Sequence, residues 1–214
     1  DYRYCWLRDA AFTVRALNRL GATRTMEEYI RYTFNLVAQL AEGELGPVFG
    51  ITFESELPER QVETLSGYRG MGPVRVGNDA WRQRQNDVYG SVVLASTQLF
   101  FDRRLEHRGD EVSFRRLERM GEMALRVAEQ PDAGLWEYRG RVAVHTYSAA
   151  MCWAACDRLA HIATELGPDE RARYWHEEAV QLHGRIEARA WNGKLGHFVD
   201  ADDGEPLGAS LLLL

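Results

Sequence analysis

The sequence has few cysteines, no long apolar run and no concentration of charge of one sign. Three cysteines among 214 residues, an odd number, do not suit a disulfide framework and favour a reducing compartment, the cytoplasm. No apolar stretch reaches the roughly 18 residues of a membrane span. The net charge of −6 comes from interleaved acids and bases. Nucleic acid and anionic membranes, which need a concentrated basic patch, are therefore not expected as partners.

The two ends of the sequence do not resemble the ends of a complete domain. Residues 1–9 are dense in aromatic and charged side chains, and residues 211–214 are four leucines. Exposed contiguous apolar surface invites association, so four leucines are expected to pack against further structure. We therefore expect 1–214 to be a partial domain, truncated at both ends.

Helical periodicity dominates the pattern of apolar residues. Apolar stripes that step by three or four positions predict helices at 112–130 and 168–190. Further helices are predicted at 9–20, 25–41, 84–106 and 147–166. Tight turns join the helices within each consecutive pair. Six helices in three pairs indicate an all-α fold, an α/α array.

Long segments join one predicted pair to the next, at 42–83, 131–146 and 191–208. They are rich in glycine and aromatic residues, and 48–53 and 74–76 within them are predicted as short strands. Long irregular loops that recur at one point of a helical array usually carry function. We expect these loops to gather on one rim of the array.

The loop at 131–140 contains a candidate for acid catalysis. Glu137 directly follows Trp136 there. An indole ring and partial burial disfavour an ionised carboxylate, which keeps a transferable proton available near neutral pH. The alternative is a Glu–Arg pair on the surface beside a core tryptophan.

Residues 4–9 contain candidates for binding a sugar, namely Trp6, Arg8 and Asp9. Aromatic faces stack on the C–H faces of sugars, while arginine and aspartate can form paired hydrogen bonds with adjacent hydroxyls. The alternative is an ordinary helix N-terminus, where Asp9 would meet the positive end of the helix dipole.

Two other patterns do not indicate a bound group. The glycine-rich run 67–79 lacks the spacing of a phosphate loop and is interpreted as a loop that faces substrate. Cys152 and Cys156, with His145 upstream, lack C-x-x-C spacing and a second ligand cluster, so zinc is not expected. We predict neither a metal nor a cofactor.

Taken together, these stretches resemble glycoside hydrolase family 15, the family of glucoamylases, glucodextranases and one class of trehalases. The resemblance covers almost the whole chain, and its motifs follow in family order at 1–10, 67–78, 85–90, 134–137 and 145–153. It implies an (α/α)6 barrel of twelve helices around a funnel-shaped pocket. The chain is then about half of that barrel, a partial (α/α)6 catalytic domain over 1–214.

The resemblance also implies roles for the candidate residues. The family reaction is the inverting release of glucose from the non-reducing end of α-linked chains. Glu137 matches the general acid, and Trp136 matches the aromatic residue that flanks it. Arg8 and Asp9 match the pair that holds hydroxyls of the released glucose, with Trp6 packed beside them.

Inversion requires a second carboxylate, about 6.5–9.5 Å from the acid, to activate water. The resemblance places that base far beyond position 214. Asp79 and Asp87 lie in shared motifs and are interpreted as pocket wall. We therefore expect the 214-residue chain alone to be inactive.

The sequence departs from the family pattern at two positions, and the second departure bears on the substrate preference. Tyr138 follows the acid, as in the bacterial branch, and Ala149 stands where many bacterial members have lysine. The leading expectation is a glucoamylase-like enzyme acting on α-glucan oligosaccharides, and a trehalase of the same family is the alternative. An alternative from another class is a non-catalytic carbohydrate-binding α/α domain.

Overall fold

The computed structural model describes residues 3–40, 45–167, 169–202 and 207–213. Pro168, where the last helix was expected to begin, and residues 1, 2 and 214 of the two chain ends lie outside them. The helices are α1 Leu7–Arg19, α2 Thr23–Gln39, α3 Asp87–Ser96, α4 Gln98–Phe101, α5 Glu111–Val127, α6 Thr146–Leu166 and α7 Asp169–Ala190. No helix in the described ranges is long and apolar enough to cross a membrane.

The helices form an inner row and an outer row. The inner helices α1, α3 and α6 contact one another in that order, and α2, α5 and α7 pack behind them. Nine of the ten residues of α3 are buried. The outer helix α5 instead buries one stripe of residues spaced by three or four. This confirms the all-α prediction of three consecutive pairs, arranged as about half of an α/α barrel.

Local hydrogen bonds set several helix ends. Asp110 accepts a hydrogen bond from the Ser113 N–H at 2.8 Å and begins α5. Gly167 ends α6 in the left-handed conformation, at φ 95°. The helix predicted at 84–106 begins later, at Asp87, and the preceding Asn86 side chain donates to the carbonyls of Val127 and Gln130.

Short antiparallel strands lie before, between and after the helical pairs. β2 Val48–Gly50 pairs with β1 Tyr4–Trp6, with Cys5 opposite Phe49. The other strands are β3 Arg60–Gln61 with β4 Arg75–Val76, and β5 Trp191–Asn192 with β6 His197–Phe198. β2 and β4 lie in the segments predicted as strands, whereas β1 was not predicted. β1 fixes the entry into α1, where the Leu7 N–H donates to the Pro47 carbonyl at 3.0 Å.

The inner helices α3 and α6 approach each other through a glycine. A Cβ atom added at Gly90 would lie 2.1 Å from the Met151 carbonyl oxygen. Only glycine leaves room for backbone at that distance. This close approach brings the N-termini of α3 and α6 together, and the loop 131–140 is attached there.

Candidate active site

Asp132 attaches the loop 131–140 to the N-termini of two inner helices. Its carboxylate accepts hydrogen bonds from the Asn86 N–H at 2.7 Å and from the Ser148 hydroxyl at 2.8 Å. Its backbone N–H and carbonyl pair with Ala143 across the base of the loop. Burial raises the pKa of the Asp132 carboxyl, and these two donors oppose that shift. Asp132 therefore holds the start of the loop through hydrogen bonds of both its side chain and its backbone.

The other side of the loop is tied to the β3–β4 hairpin by ion pairs. Glu59 contacts the Arg139 guanidinium at 3.0 Å and the Arg75 guanidinium at 3.3 Å. Two of the long interhelical segments thus lie against each other, as the sequence predicted. The third also joins them, since the Thr146 N–H donates to the Asp200 carbonyl at 2.9 Å.

A tight turn presents Glu137 at the tip of the loop. The Glu137 N–H donates to the Gly134 carbonyl at 3.2 Å. Gly134 has φ 68°, and a Cβ there would lie 2.7 Å from the His145 ring. Glu137 itself has φ 55°, a left-handed conformation that is uncommon and costly for a residue other than glycine. Such backbone persists only where its surroundings hold it.

The Glu137 carboxylate contacts two residues from the start of the chain. Its Oε1 accepts a hydrogen bond from the Trp6 indole N–H at 3.1 Å and lies 3.5 Å from Nη2 of Arg8. The Glu137 side chain is 29% exposed, and Trp136 is half exposed. The indole of Trp6 therefore contacts the carboxylate through its N–H edge, and Trp136 lines the same cleft.

Arg8 lies beneath the carboxylate and is buried among acceptors. Its Nη1 donates to Gln85 Oε1 at 2.8 Å and lies 3.2 Å from Asp87 Oδ2, while its Nε lies 3.9 Å from Asp9. Burial lowers the pKa of the guanidinium, but the charges of Asp87, Asp9 and Glu137 outweigh this and raise it. Burial raises the pKa of the Asp87 carboxyl, and Arg8 opposes that shift. Arg8 thus stays charged.

These side chains line one open cleft of about 660 Å³. Its lining includes all five candidates from the sequence, namely Trp6, Arg8, Asp9, Trp136 and Glu137. Among the described residues of this lining, Asp9 and Glu137 are the ones with a carboxylate. The Asp9 side chain is 68% exposed.

The structure corrects the interpretation of Asp79 and Asp87 as pocket wall. Asp87 is fully buried beneath Arg8. Asp79 contacts the Glu59 N–H at 3.3 Å, on the β3–β4 side of the loop. Neither side chain is among the described residues that line the cleft.

The sequence did not single out two glutamines that contact the site. Gln85 accepts from Arg8, and Gln83 Nε2 donates to the Glu137 carbonyl at 3.2 Å. Gln85 belongs to a motif that the sequence indicated, but no role followed from it. The sequence did contain one signal: Gln83 and Gln85 are two positions apart. Alternate residues of an extended segment point the same way, so this spacing is compatible with a shared partner.

Among the described residues that line the cleft, Cys5 is the one cysteine and there is no histidine. Cys152 is buried and contacts the Asn86 carbonyl at 3.4 Å, and burial raises the pKa of the Cys156 thiol to about 12. Glu27, Glu106 and His107 form a cluster elsewhere, with ligand atoms within 4.8 Å of one another. Glu27 already accepts the His107 backbone N–H at 2.8 Å.

Comparison with known proteins gives the family. The protein-family model described as "Glycosyl hydrolases family 15" matches residues 1–214 of the sequence. The chain belongs to this family. A relative named trehalase, from Mycobacterium tuberculosis, is 33% identical over 217 residues, covering 100% of this chain and 31% of the relative. A trehalase from Thermoplasma acidophilum is 29% identical, covering 100% of this chain and 36% of the relative.

A solved structure supports the family 15 fold. Glucoamylase from Saccharomycopsis fibuligera matches with a TM-score of 0.64 at 16% identity, over 95% of this chain and 44% of that chain. The likeness confirms the half-barrel architecture. The chain spans about a third of the length of the curated relatives that it matches.

Proposed function

We propose that the protein that contains this chain hydrolyses an α-glucosidic bond with inversion, and that trehalose is its substrate. The observation that carries the proposal is the convergence of Trp6 and Arg8 on one carboxylate oxygen of Glu137 at the wall of an open cleft. The Glu137 carboxyl group is partly exposed in the cleft, so a bound sugar oxygen can reach it, which a carboxylate enclosed in a structural ion pair would not allow.

In this proposal, Glu137 protonates the glycosidic oxygen as the bond to the anomeric carbon breaks. Glu137 keeps 29% of its side chain exposed, so a substrate oxygen can reach it. The exposed Asp9 carboxylate and the charged Arg8 bind hydroxyls of the same glucose unit. Trp136, half exposed in the cleft lining, offers a ring face to the sugar.

The general base is proposed to lie outside these 214 residues. An inverting enzyme needs a second carboxylate about 6.5–9.5 Å from the acid. Asp9, the other described carboxylate in the cleft lining, is assigned to hydroxyl binding. Since the chain spans about a third of its curated relatives, another part of the protein is proposed to supply the base. Inactivity of the chain alone remains a prediction, as does a cytoplasmic location.

Trehalose is preferred because the relatives with 33% and 32% identity are both named trehalase. An α-glucan oligosaccharide, the leading expectation from the sequence, is the second candidate. The likeness to a glucoamylase structure at 16% identity supports the fold and does not decide the substrate.

The test is glucose release from trehalose and from maltotriose by the full-length protein, with the anomers followed by proton NMR. Inversion at one half of trehalose should give equal initial amounts of β- and α-glucose, because the leaving half keeps its configuration. The 214-residue chain, as control, should release none. Release of α-glucose alone would contradict inversion, and release from maltotriose alone would favour the second candidate. The absence of glucose from both would overturn the proposal.

A further inference from the structure

Two glutamine side chains connect the Arg8 guanidinium to the backbone of Glu137. Arg8 Nη1 donates to Gln85 Oε1 at 2.8 Å. Gln85 Nε2 donates to Gln83 Oε1 at 3.0 Å, and Gln83 Nε2 donates to the Glu137 carbonyl at 3.2 Å. Three hydrogen bonds in series therefore run beneath the cleft from one proposed substrate ligand to the proposed acid.

The chemistry of the two ends fixes the direction of this chain. A guanidinium only donates hydrogen bonds, and a backbone carbonyl only accepts them. Gln85 must therefore turn its oxygen to Arg8 and its NH2 group to Gln83. Gln83 must then turn its own NH2 group to Glu137. Both amides have a single satisfactory orientation.

The last bond of the chain falls on strained backbone. Glu137 has φ 55°, and Gln83 Nε2 also lies 3.5 Å from the Tyr138 carbonyl. The carbonyl of a left-handed residue points away from its usual partners, so a donor from another segment helps to hold it. Gln85 is buried and Gln83 half-buried, so water competes weakly for these bonds.

We propose that Gln83 and Gln85 are positioning residues that set the Glu137 carboxyl group relative to the sugar held by Arg8. The inference rests on the proposed role of Glu137 as general acid. Trp6 and Arg8 contact the Glu137 carboxylate. The two glutamine amides hold the Glu137 backbone, from which that side chain extends. Without the two glutamine amides, the Glu137 backbone can relax from φ 55°, which moves the Glu137 carboxyl group away from the glycosidic oxygen.

The first test is Gln83→Met in the full-length protein, with kcat and KM measured on trehalose and on α-glucosyl fluoride. Methionine keeps the side-chain length but cannot donate to the Glu137 carbonyl. We expect kcat on trehalose to fall about 10- to 100-fold, as for a misplaced catalytic group, with KM nearly unchanged. The fluoride needs little protonation, so its rate should fall much less.

The matched control is Gln130→Met, which removes another amide that donates to a backbone carbonyl, that of Arg126 at 3.0 Å. It should leave both substrates at the wild-type rate. Gln83→Asn, one methylene shorter, should reproduce the Gln83→Met result without adding an apolar side chain. Thermal unfolding of each variant shows whether the fold is kept.

The second test is a double-mutant cycle with Gln85→Glu. A glutamate at 85 still accepts from Arg8 but cannot donate to Gln83, so the Gln83 amide turns over and presents its oxygen to the Glu137 carbonyl. We expect Gln85→Glu to lower kcat on trehalose about as much as Gln83→Met. Because the bonds act in series, the double variant should be no worse than either single variant.

Several outcomes would overturn the inference. These are unchanged kcat in folded Gln83→Met and Gln83→Asn, equal losses on trehalose and the fluoride, or losses that multiply in the double variant. Wild-type protein without glucosidase activity would instead refute the proposed function. An active wild type with unaffected glutamine variants would refute only the amide chain.

Discussion

At the scale of single residues, the Glu137 carboxylate depends on partners far away in the sequence. Trp6, which donates to it, lies 131 positions earlier. The local pattern around Glu137 predicted the indole of Trp136 beside the acid, and the structure adds a second indole, that of Trp6 from β1. A contact between an early strand and a late loop depends on how the helices pack. Sequence spacing alone therefore gave the candidate residues but not their bonds.

The Gln83 and Gln85 side chains illustrate the same limit. Glutamine is common on protein surfaces, and its amide has no preferred partner until the fold brings one near. The sequence placed Gln83 just before the helix predicted at 84–106 and Gln85 just inside it, and gave neither a role. Their proposed role as links rests on the Arg8 guanidinium at one end and the Glu137 carbonyl at the other.

Asp9 gives a prediction at this scale. Asp9→Ala removes a charged acceptor proposed to bind sugar hydroxyls in both the ground state and the transition state. A hydrogen bond to a charged group is worth about 1.5–3 kcal/mol, so kcat/KM should fall about 10- to 100-fold. KM should rise, and trehalose and α-glucosyl fluoride should be affected alike.

The control for Asp9 is Asp169→Ala, which removes another exposed acid from the first turn of a helix, α7. Steady-state kinetics of the two variants separate sugar binding from the effect on a helix dipole. Wild-type kinetics for Asp9→Ala, or a loss matched by Asp169→Ala, would refute the hydroxyl-binding role.

At the scale of elements, periodicity predicted the helices because a buried stripe on α5 and α7 repeats every three or four residues. α3 is buried on nearly every side, so its pattern carries no stripe, and its start was predicted three residues too early. β1 has three residues, too few for alternation to be visible. Capping and cross-segment hydrogen bonds decide such boundaries, and they depend on tertiary contacts.

The close approach of α3 and α6 predicts opposite effects for two glycine substitutions. Gly90→Ala would place a Cβ atom 2.1 Å from the Met151 carbonyl oxygen, so the inner helices must separate. We expect the free energy of unfolding to fall by about 1–3 kcal/mol, as for an overpacked core. At Gly184, inside α7, an added Cβ atom would have open space within 4 Å. Gly184→Ala should therefore raise stability by about 0.5–1 kcal/mol.

Denaturant unfolding of the full-length protein measures both variants. Because the two substitutions are chemically identical, the difference in sign isolates the helix contact from helix propensity. A stabilising effect of Gly90→Ala would show that α3 and α6 do not approach through their backbones in solution.

At the scale of the whole molecule, three helical pairs bring their connecting segments to one rim, and the cleft lies there. The first segment of the chain contributes Trp6, Arg8 and Asp9, and the loop after α5 contributes Trp136 and Glu137. Periodicity and loop length predicted the helical pairs and this gathering of loops, and the resemblance to family 15 implied the half-barrel. The sequence could not supply the general base, which the proposal assigns to another part of the protein.

The most direct measurement is the rate of full-length Glu137→Gln on trehalose compared with α-glucosyl fluoride. Glutamine keeps the shape of the side chain but has no transferable proton, so turnover of trehalose should fall about 100- to 10,000-fold. Fluoride departs with little protonation, so the variant should recover much of the wild-type rate on the fluoride, with KM little changed on both substrates. Equal losses on trehalose and on the fluoride would contradict the account, because Glu137 would then act as the base or support only the structure.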